Sequence, residues 1–446
     1  MSEPVIHIAG GGLAGCEAAW RAASRGARSV LWEMKPHRFS PAHRSPDLAE
    51  LVCSNSFRAS SPENAVGLLK EEMRRLGSLV MLAADATAVP AGKALAVDRE
   101  RFSRLVTETV AAHPLIEVRR EELTAWPEGD APMVMAPGPL ASEAAVEMLA
   151  SATGAENLSF YDALAPIVTA ESLDMSRIFA QDRYGPEGGG DYLNAPFDKR
   201  EFEAFLEALG EADRAVPRPF EDEKYFEGCL PIEVMASRGP KTLIFGPMKP
   251  VGLTVPGTGA RPYAAAQLRR ENLEGTLWNI VGFQTRLTRP AQEKVFRMIP
   301  GLGNCEFARY GAIHRNTFLA APAVLDPWQR LLARPGVFMA GQISGVEGYV
   351  ESAAQGLWAG ENAFRALAGI PLTLPPRESA LGSLVSHLRP EGRKGPFAPS
   401  NVNFGLFPSL PERLPKNKKE AASRRVEAAR ASWKPLKEDA NHVFSW

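Results

Sequence analysis

The residues of this chain with the widest chemistry open to them are its four cysteines, at 16, 53, 229 and 305. No two form a CxxC pair and their spacing is irregular, which argues against both a disulfide framework and a zinc site. The seven histidines include no HExxH arrangement, so no metal is expected. In FEGCLPIEVM (226–235), Cys229 is open to four readings: a packed side chain, half of a disulfide, a metal ligand or a nucleophile. The choice depends on which cofactor and substrate the surrounding elements can position.

The clearest of those elements is at the start. PVIHIAGGGLAGCEAAWRAASRGARSVLWE (4–33) reads as strand, glycine turn, helix and second strand. This is GxGxxG in its strand–turn–helix setting, with an acid ending the second strand. Gly10 makes the tight turn, Gly11 continues it, Gly12 lets a pyrophosphate approach the backbone, and Gly15 lets helix and strand pack closely. The helix opening at Leu13 and Ala14 presents free N–H groups to the phosphates, and Glu33 would accept from ribose hydroxyls. A second glycine-rich stretch, GVFMAGQISGVEGYVESAAQGLWAG (336–360), reads as strand, loop and a helix from about Tyr349. A pair of such elements far apart in the chain suits FAD, with Gly341, Gln342, Gly345 and Gly348 at the flavin end. No second GxGxxG exists for a nicotinamide, so NAD(P)H is expected to bind only transiently.

The fold class expected is α/β: a Rossmann-like FAD-binding domain of the glutathione-reductase type, with an inserted α+β domain and a basic helical tail. The boundaries expected are 1–151 and 300–376 for the FAD-binding domain, 152–299 for the insertion and 377–446 for the extension. A helix over 99–112 capped by Asp98, a strand at Val134–Ala136 and a helix over Asp198–Leu209 are predicted, with strand-like runs at Ile232–Met235 and Thr242–Phe245. At 446 residues, with 45% hydrophobic and 23% charged residues, the composition is that of an ordinary globular protein. A net charge of −1 gives no overall pull toward nucleic acid. Any such pull is local: Glu412–Lys437 holds nine Lys/Arg against three Glu, with Val426, Ala429 and Trp433 as a thin apolar stripe. That run reads equally as a solvated helix or as a phosphate-binding surface. No apolar run approaches ~18 residues, so no membrane partner is expected and the cytoplasm is the expected compartment. Nothing in the sequence sets an oligomeric state beyond the plausibility of a monomer.

Longer strings are more specific. AELVCSNSFR (49–58), FEGCLPIEVM (226–235), FGPMKPVGL (245–253), RPYAAAQLRRE (261–271), VGFQTRL (281–287), FRMIPGL (296–302), RYGAIHRNTF (309–318), GQISGVEGYVESAAQG (341–356) and NVNFGLFP (401–408) together resemble the folate/FAD-dependent tRNA uracil-5-methyltransferase family. The likeness spans residues 5 to about 408 and departs at APGP (136–139), where a Thr would precede the Gly. The glycine-rich string is also similar to the wobble-uridine-modifying flavoproteins, whose C-terminal helical domain this chain is too short to contain.

The resemblance implies C5 methylation of uridine-54 in the tRNA T-loop. Carbon would come from 5,10-methylenetetrahydrofolate and electrons from FADH2 regenerated with NAD(P)H. Uracil C5 is a poor nucleophile until a soft thiolate adds to C6. By its motif Cys229 is expected to be that nucleophile. Cys53 is expected to be its acid/base partner or its guard through a reversible disulfide. Glu347 is expected to bond the folate pterin, with Tyr349 and His314 stacking on it or orienting it. Cys16 and Cys305 are expected to be packed side chains. Rival readings are a disulfide reductase, disfavoured by the distance between Cys53 and Cys229, and a non-catalytic, flavin-stabilised RNA-binding module.

Overall fold

The computed structural model describes residues 5–154, 158–185, 189–215, 230–239, 241–391, 397–410 and 415–433. Cys229 lies outside the described residues, as does the Val216–Glu223 loop.

The strand Ile6–Ala9 pairs in parallel with Ser29–Trp32 on one side and Met133–Met135 on the other. Ile116–Arg119 and Arg334–Met339 extend the sheet in parallel, and Arg330–Leu331 closes one edge antiparallel. The near-continuous apolar strands are those of a sheet covered on both faces. Against it lie the helix Leu13–Ser24 and the long helix Tyr349–Leu367. Gly356 and Gly360, four residues apart, share one face of the long helix. A Cβ at either would overlap the Ala14 or Ala18 carbonyl, so the two helices touch backbone to backbone. The expected helix after Asp98 is Arg99–Ala111, with the Asp98 carboxylate accepting from Arg101 N at 3.0 Å.

The second sheet is antiparallel, in the order Phe179–Ala180, Tyr192–Phe197, Ala264–Arg270, Leu277–Ile280, Ile167–Thr169, Phe307–Arg309. Helix Lys199–Glu211, opened by an Asp198–Glu201 capping box, covers it through Phe202, Phe205 and Leu209. The two strands that join the domains, Leu158–Ala163 and Ile313–Phe318, pair antiparallel with each other.

Three expectations are corrected. Ile232–Ser237 and Thr242–Phe245 are short helices, not strands. Pro231 starts the first, and its carbonyl accepts from Met235 N at 2.9 Å; apolar runs this short carry no decisive period. The chain also leaves the insertion later than residue 300. Phe307–Arg309 still belongs to the second sheet, and Leu319 is the first residue after it in the FAD-domain core. In the tail, the stripe of helix Lys418–Ser432 is buried: Val426, Ala429 and Trp433 join the first core, with Trp433 edge-on to Trp358 at 6.0 Å. Arg430 pairs with Glu71 at 2.7 Å, which docks the helix while Lys418, Lys419, Arg424 and Arg430 stay exposed. No helix of the described residues is long and apolar enough to cross a membrane.

Candidate active site

A cleft runs between the two glycine turns, lined by Gly10–Ala14, Glu33, Met135–Leu140, Gly341, Gln342 and Tyr349. Its geometry fits FAD. Gly10, at φ +100°, turns directly under the Ala136 carbonyl, and a Cβ on Gly15 would strike the Gly10 carbonyl. Around Gly12, by contrast, nothing beyond the adjoining backbone lies within 4 Å of where a Cβ would be, so the space is open to a phosphate. Helix Leu13–Ser24 has no side-chain cap and no acid in its first turn, leaving its N–H groups to an anion. Glu33 is held by Gly11 N and Lys35 N, both at 2.9 Å, with one bond to each carboxylate oxygen. The remaining lone pairs can accept from ribose. A bound FAD would rest its ADP half on Gly10–Gly15 and Glu33, with its flavin toward Gly341 and Gln342.

The glycines at the far end answer to the protein itself. Gly345 and Gly348, at φ +92° and +104°, would drive a Cβ into the Phe397 ring and the Glu351 carboxylate respectively. Phe397 belongs to a C-terminal strap that returns over this loop. Asn401 Nδ2 donates to the Glu347 carbonyl at 2.5 Å, Glu347 N donates to Ser400 O at 2.9 Å, and Val402 N donates to Glu351 at 2.9 Å. Glu347 is 3% exposed, and Gln342 Nε2 donates to both of its oxygens at 2.9 and 2.8 Å.

Cys53 is half-buried on an irregular loop before strand Ser56–Ala59. The Tyr349 hydroxyl accepts from Cys53 N at 2.7 Å and Ser54 N at 3.1 Å, so the first residue of the long helix anchors the thiol loop. Burial, then Cys53, push the phenol well above its usual range. Guanidinium groups from three elements grip the same loop: Arg99 donates to Leu51 O, Arg309 to Val52 O at 2.6 Å, and Arg269 to Ser54 Oγ at 2.9 Å. Asn55, fully buried, donates to Arg270 O at 2.8 Å. Tyr349 thus positions Cys53, a task its sequence context did not suggest.

His314 is half-buried on strand Ile313–Phe318, and burial and then Arg309 lower its pKa. It lies near His43, a cleft residue the sequence reading missed. Burial first, then Lys35, His314 and Arg309, push His43 down to about 4, and its Nδ1 meets Ser40 Oγ at 2.5 Å. The available signal was its place ten residues before Cys53 in the same long loop. Cys16 and Cys305 are wholly buried, and burial raises both thiols, Cys305 to about 11. Glu233 is spent on Thr285 Oγ1 and Arg286 N, at 2.9 and 2.8 Å.

The family described as glucose inhibited division protein A matches residues 5–371. The methylenetetrahydrofolate–tRNA-(uracil-5-)-methyltransferase TrmFO of Geobacter sulfurreducens is 56% identical over 426 residues, covering 96% of this chain and 97% of the relative. Its namesake in Moorella thermoacetica is also 56% identical, covering 97% of each. Among solved structures, Aquifex aeolicus GidA superposes with a TM-score of 0.68 at 18% identity, over 98% of this chain and 76% of that one, a likeness of fold. With its paired glycine turns, FAD cleft and Cys53 loop, the chain belongs to the folate- and FAD-dependent tRNA (uracil-5-)-methyltransferase family.

Proposed function

We propose that the chain methylates C5 of uridine-54 in the tRNA T-loop, using 5,10-methylenetetrahydrofolate as carbon donor and FAD re-reduced by NAD(P)H, in the cytoplasm. The observation that carries this reading is the anchoring of the Cys53 loop to Tyr349, the first residue of the helix whose preceding turn lines the FAD cleft. A thiol is thereby held beside the flavin end rather than packed away.

Bound in reduced form, FAD supplies the hydride that converts a methylene on C5 into a methyl group. Cys229, as thiolate, adds to C6 and makes C5 nucleophilic. Cys53 takes the proton from C5 after the one-carbon unit has joined, and the Cys229–C6 bond then breaks. Glu347, clamped by Gln342, has carboxylate lone pairs suited to the N–H groups of a pterin. His314, with its lowered pKa, is neutral at pH 7 and orients the pterin without adding charge. The exposed basic face of helix Lys418–Ser432 suits the RNA backbone.

The test is incubation with T-arm RNA, methylenetetrahydrofolate and NAD(P)H, followed by nucleoside mass analysis. 5-Methyluridine at position 54 is expected, and its loss is expected in Cys229→Ala and in Cys53→Ala. Tight RNA binding with no product would favour a binding module instead, and full activity of Cys229→Ala would remove that residue from the mechanism.

A further inference from the structure

A second cavity, about 610 Å3, opens where the insertion meets the FAD domain. Its walls come from the stretch before Cys53, from helix Arg99–Ala111 and from strand Phe307–Arg309. Glu50 lines both this cavity and the FAD cleft, so one stretch of chain separates the two spaces.

The wall carries five arginines and five carboxylates, but they are not paired one to one. Glu271 is taken by Arg99 at 2.9 Å, Asp98 and Glu274 hold Arg101, and Glu50 accepts from Arg44 N and Ser45 N. Among the described residues, the side chains of Arg44, Arg104 and Arg309 have no carboxylate partner, and Glu100 is the wall carboxylate left over. Arg309 is the telling one. It is half-buried, its Nη2 donates to the Val52 carbonyl, and it faces Arg99 and Arg44. Burial first, then Arg99, push this guanidinium down to about 10. A sheltered cation facing like charges is destabilised until an anion joins it.

We propose that this cavity binds a backbone phosphate of the substrate RNA next to the target uracil, with Arg309 and Arg44 as its partners. The inference rests on the reading of Cys53 as a thiol that acts on the uracil. Base and phosphate are linked within one nucleotide, and Arg309 is bonded to the residue before Cys53. A base presented to that thiol therefore brings its phosphate toward these guanidinium groups. Guanidinium matches phosphate in a bidentate fork, and such contacts set the register of a nucleic acid without reading its sequence. The other polyanion available to this family reading, the glutamate tail of a polyglutamyl folate, is distinguished by the test.

The test uses full-length, flavin-loaded protein and a fluorescent T-arm hairpin, followed by anisotropy across a salt series. Arg309→Gln and Arg44→Gln should each weaken binding about tenfold and lower the log–log salt slope by about one. In a parallel set of hairpins, each phosphate flanking the target uridine is replaced singly by an uncharged methylphosphonate. One of these should reproduce the loss in the unmodified protein and cost nothing more in Arg309→Gln. Losses that multiply at every position would overturn the pairing. So would unchanged RNA affinity accompanied by a raised KM for pentaglutamyl folate. Arg44→Gln, an exposed position whose side chain holds no backbone, keeps the test decisive if Arg309→Gln fails to fold. Should the unmodified protein bind no T-arm hairpin at all, the functional reading falls and this site with it.

Discussion

Replacing Tyr349 by Phe removes one oxygen and leaves the ring in place, packed 5.9 Å from Phe57. That oxygen accepts from two amides, Cys53 N and Ser54 N. Each lost bond at a half-buried site costs about 1 kcal/mol, so the loop loses roughly 2 kcal/mol of anchoring. If Cys53 must hold its place in the transition state, the loss corresponds to about a 30-fold fall in turnover. Flavin content should not change, because the groups that line the cleft around Gly12 and Glu33 are untouched. The assay is 5-methyluridine formation under single-turnover conditions, paired with hydrogen exchange at the amides of Cys53 and Ser54. Exchange should accelerate by about the same factor as turnover falls. Faster exchange with turnover within about twofold of the parent would refute the link between loop anchoring and chemistry. Unchanged exchange would refute the anchoring itself.

Two further outcomes follow from the packing. Gly12→Ala should fold normally and bind little FAD, because the new methyl enters space no protein atom occupies, whereas Gly15→Ala should lose the fold as well by striking the Gly10 carbonyl; thermal melts and flavin-to-protein ratios separate the two. Glu72, 1% exposed and bonded to Ala380 N and Leu381 N, is raised by burial to about 7, so the folded protein keeps a proton that the unfolded chain releases near 4.5. Its contribution is therefore complete below pH 4.5 and is lost as pH rises through 7, about 3 kcal/mol at most. Urea unfolding at pH 5 and pH 8 should show a smaller difference in Glu72→Gln than in the parent; equal differences would refute the assignment.

Much of the FAD cleft was legible because its requirements are local. Gly10, Gly12 and Gly15 sit where turn geometry and close packing demand glycine, and the acid at Glu33 ends a strand whose length is plain. The anchoring of Cys53 was not legible, because its partners Tyr349, Arg269 and Arg309 are more than two hundred residues away. No periodicity links them. The same holds for Gly345, whose missing side chain makes room for Phe397, a residue of the strap. Ile232–Ser237 misled because β-branched residues favour strands, while the proline ahead of them starts a helix just as well. The basic run Glu412–Lys437 showed its stripe at Val426, Ala429 and Trp433 but not what covers it, because Trp358 lies on a helix far earlier in the chain.

The grip of Arg269, Arg270 and Arg309 on the segment from Val52 to Asn55 bears on how this architecture can be cut and recombined. The thiol loop is encoded with the nucleotide fold but fastened from both sides, by Tyr349 of that fold and by arginines of the insertion. Excising the insertion at its paired connecting strands would leave a flavin binder whose Cys53 segment keeps its bonds to Tyr349 and Val97 but has lost those to Arg269, Arg270 and Arg309. Exchanging the insertion for a homologue's would require the loop to travel with it. The unit of inheritance for this site therefore spans a domain boundary, and changes at Ser54 or Asn55 are tied to changes at Arg269 more than two hundred residues later.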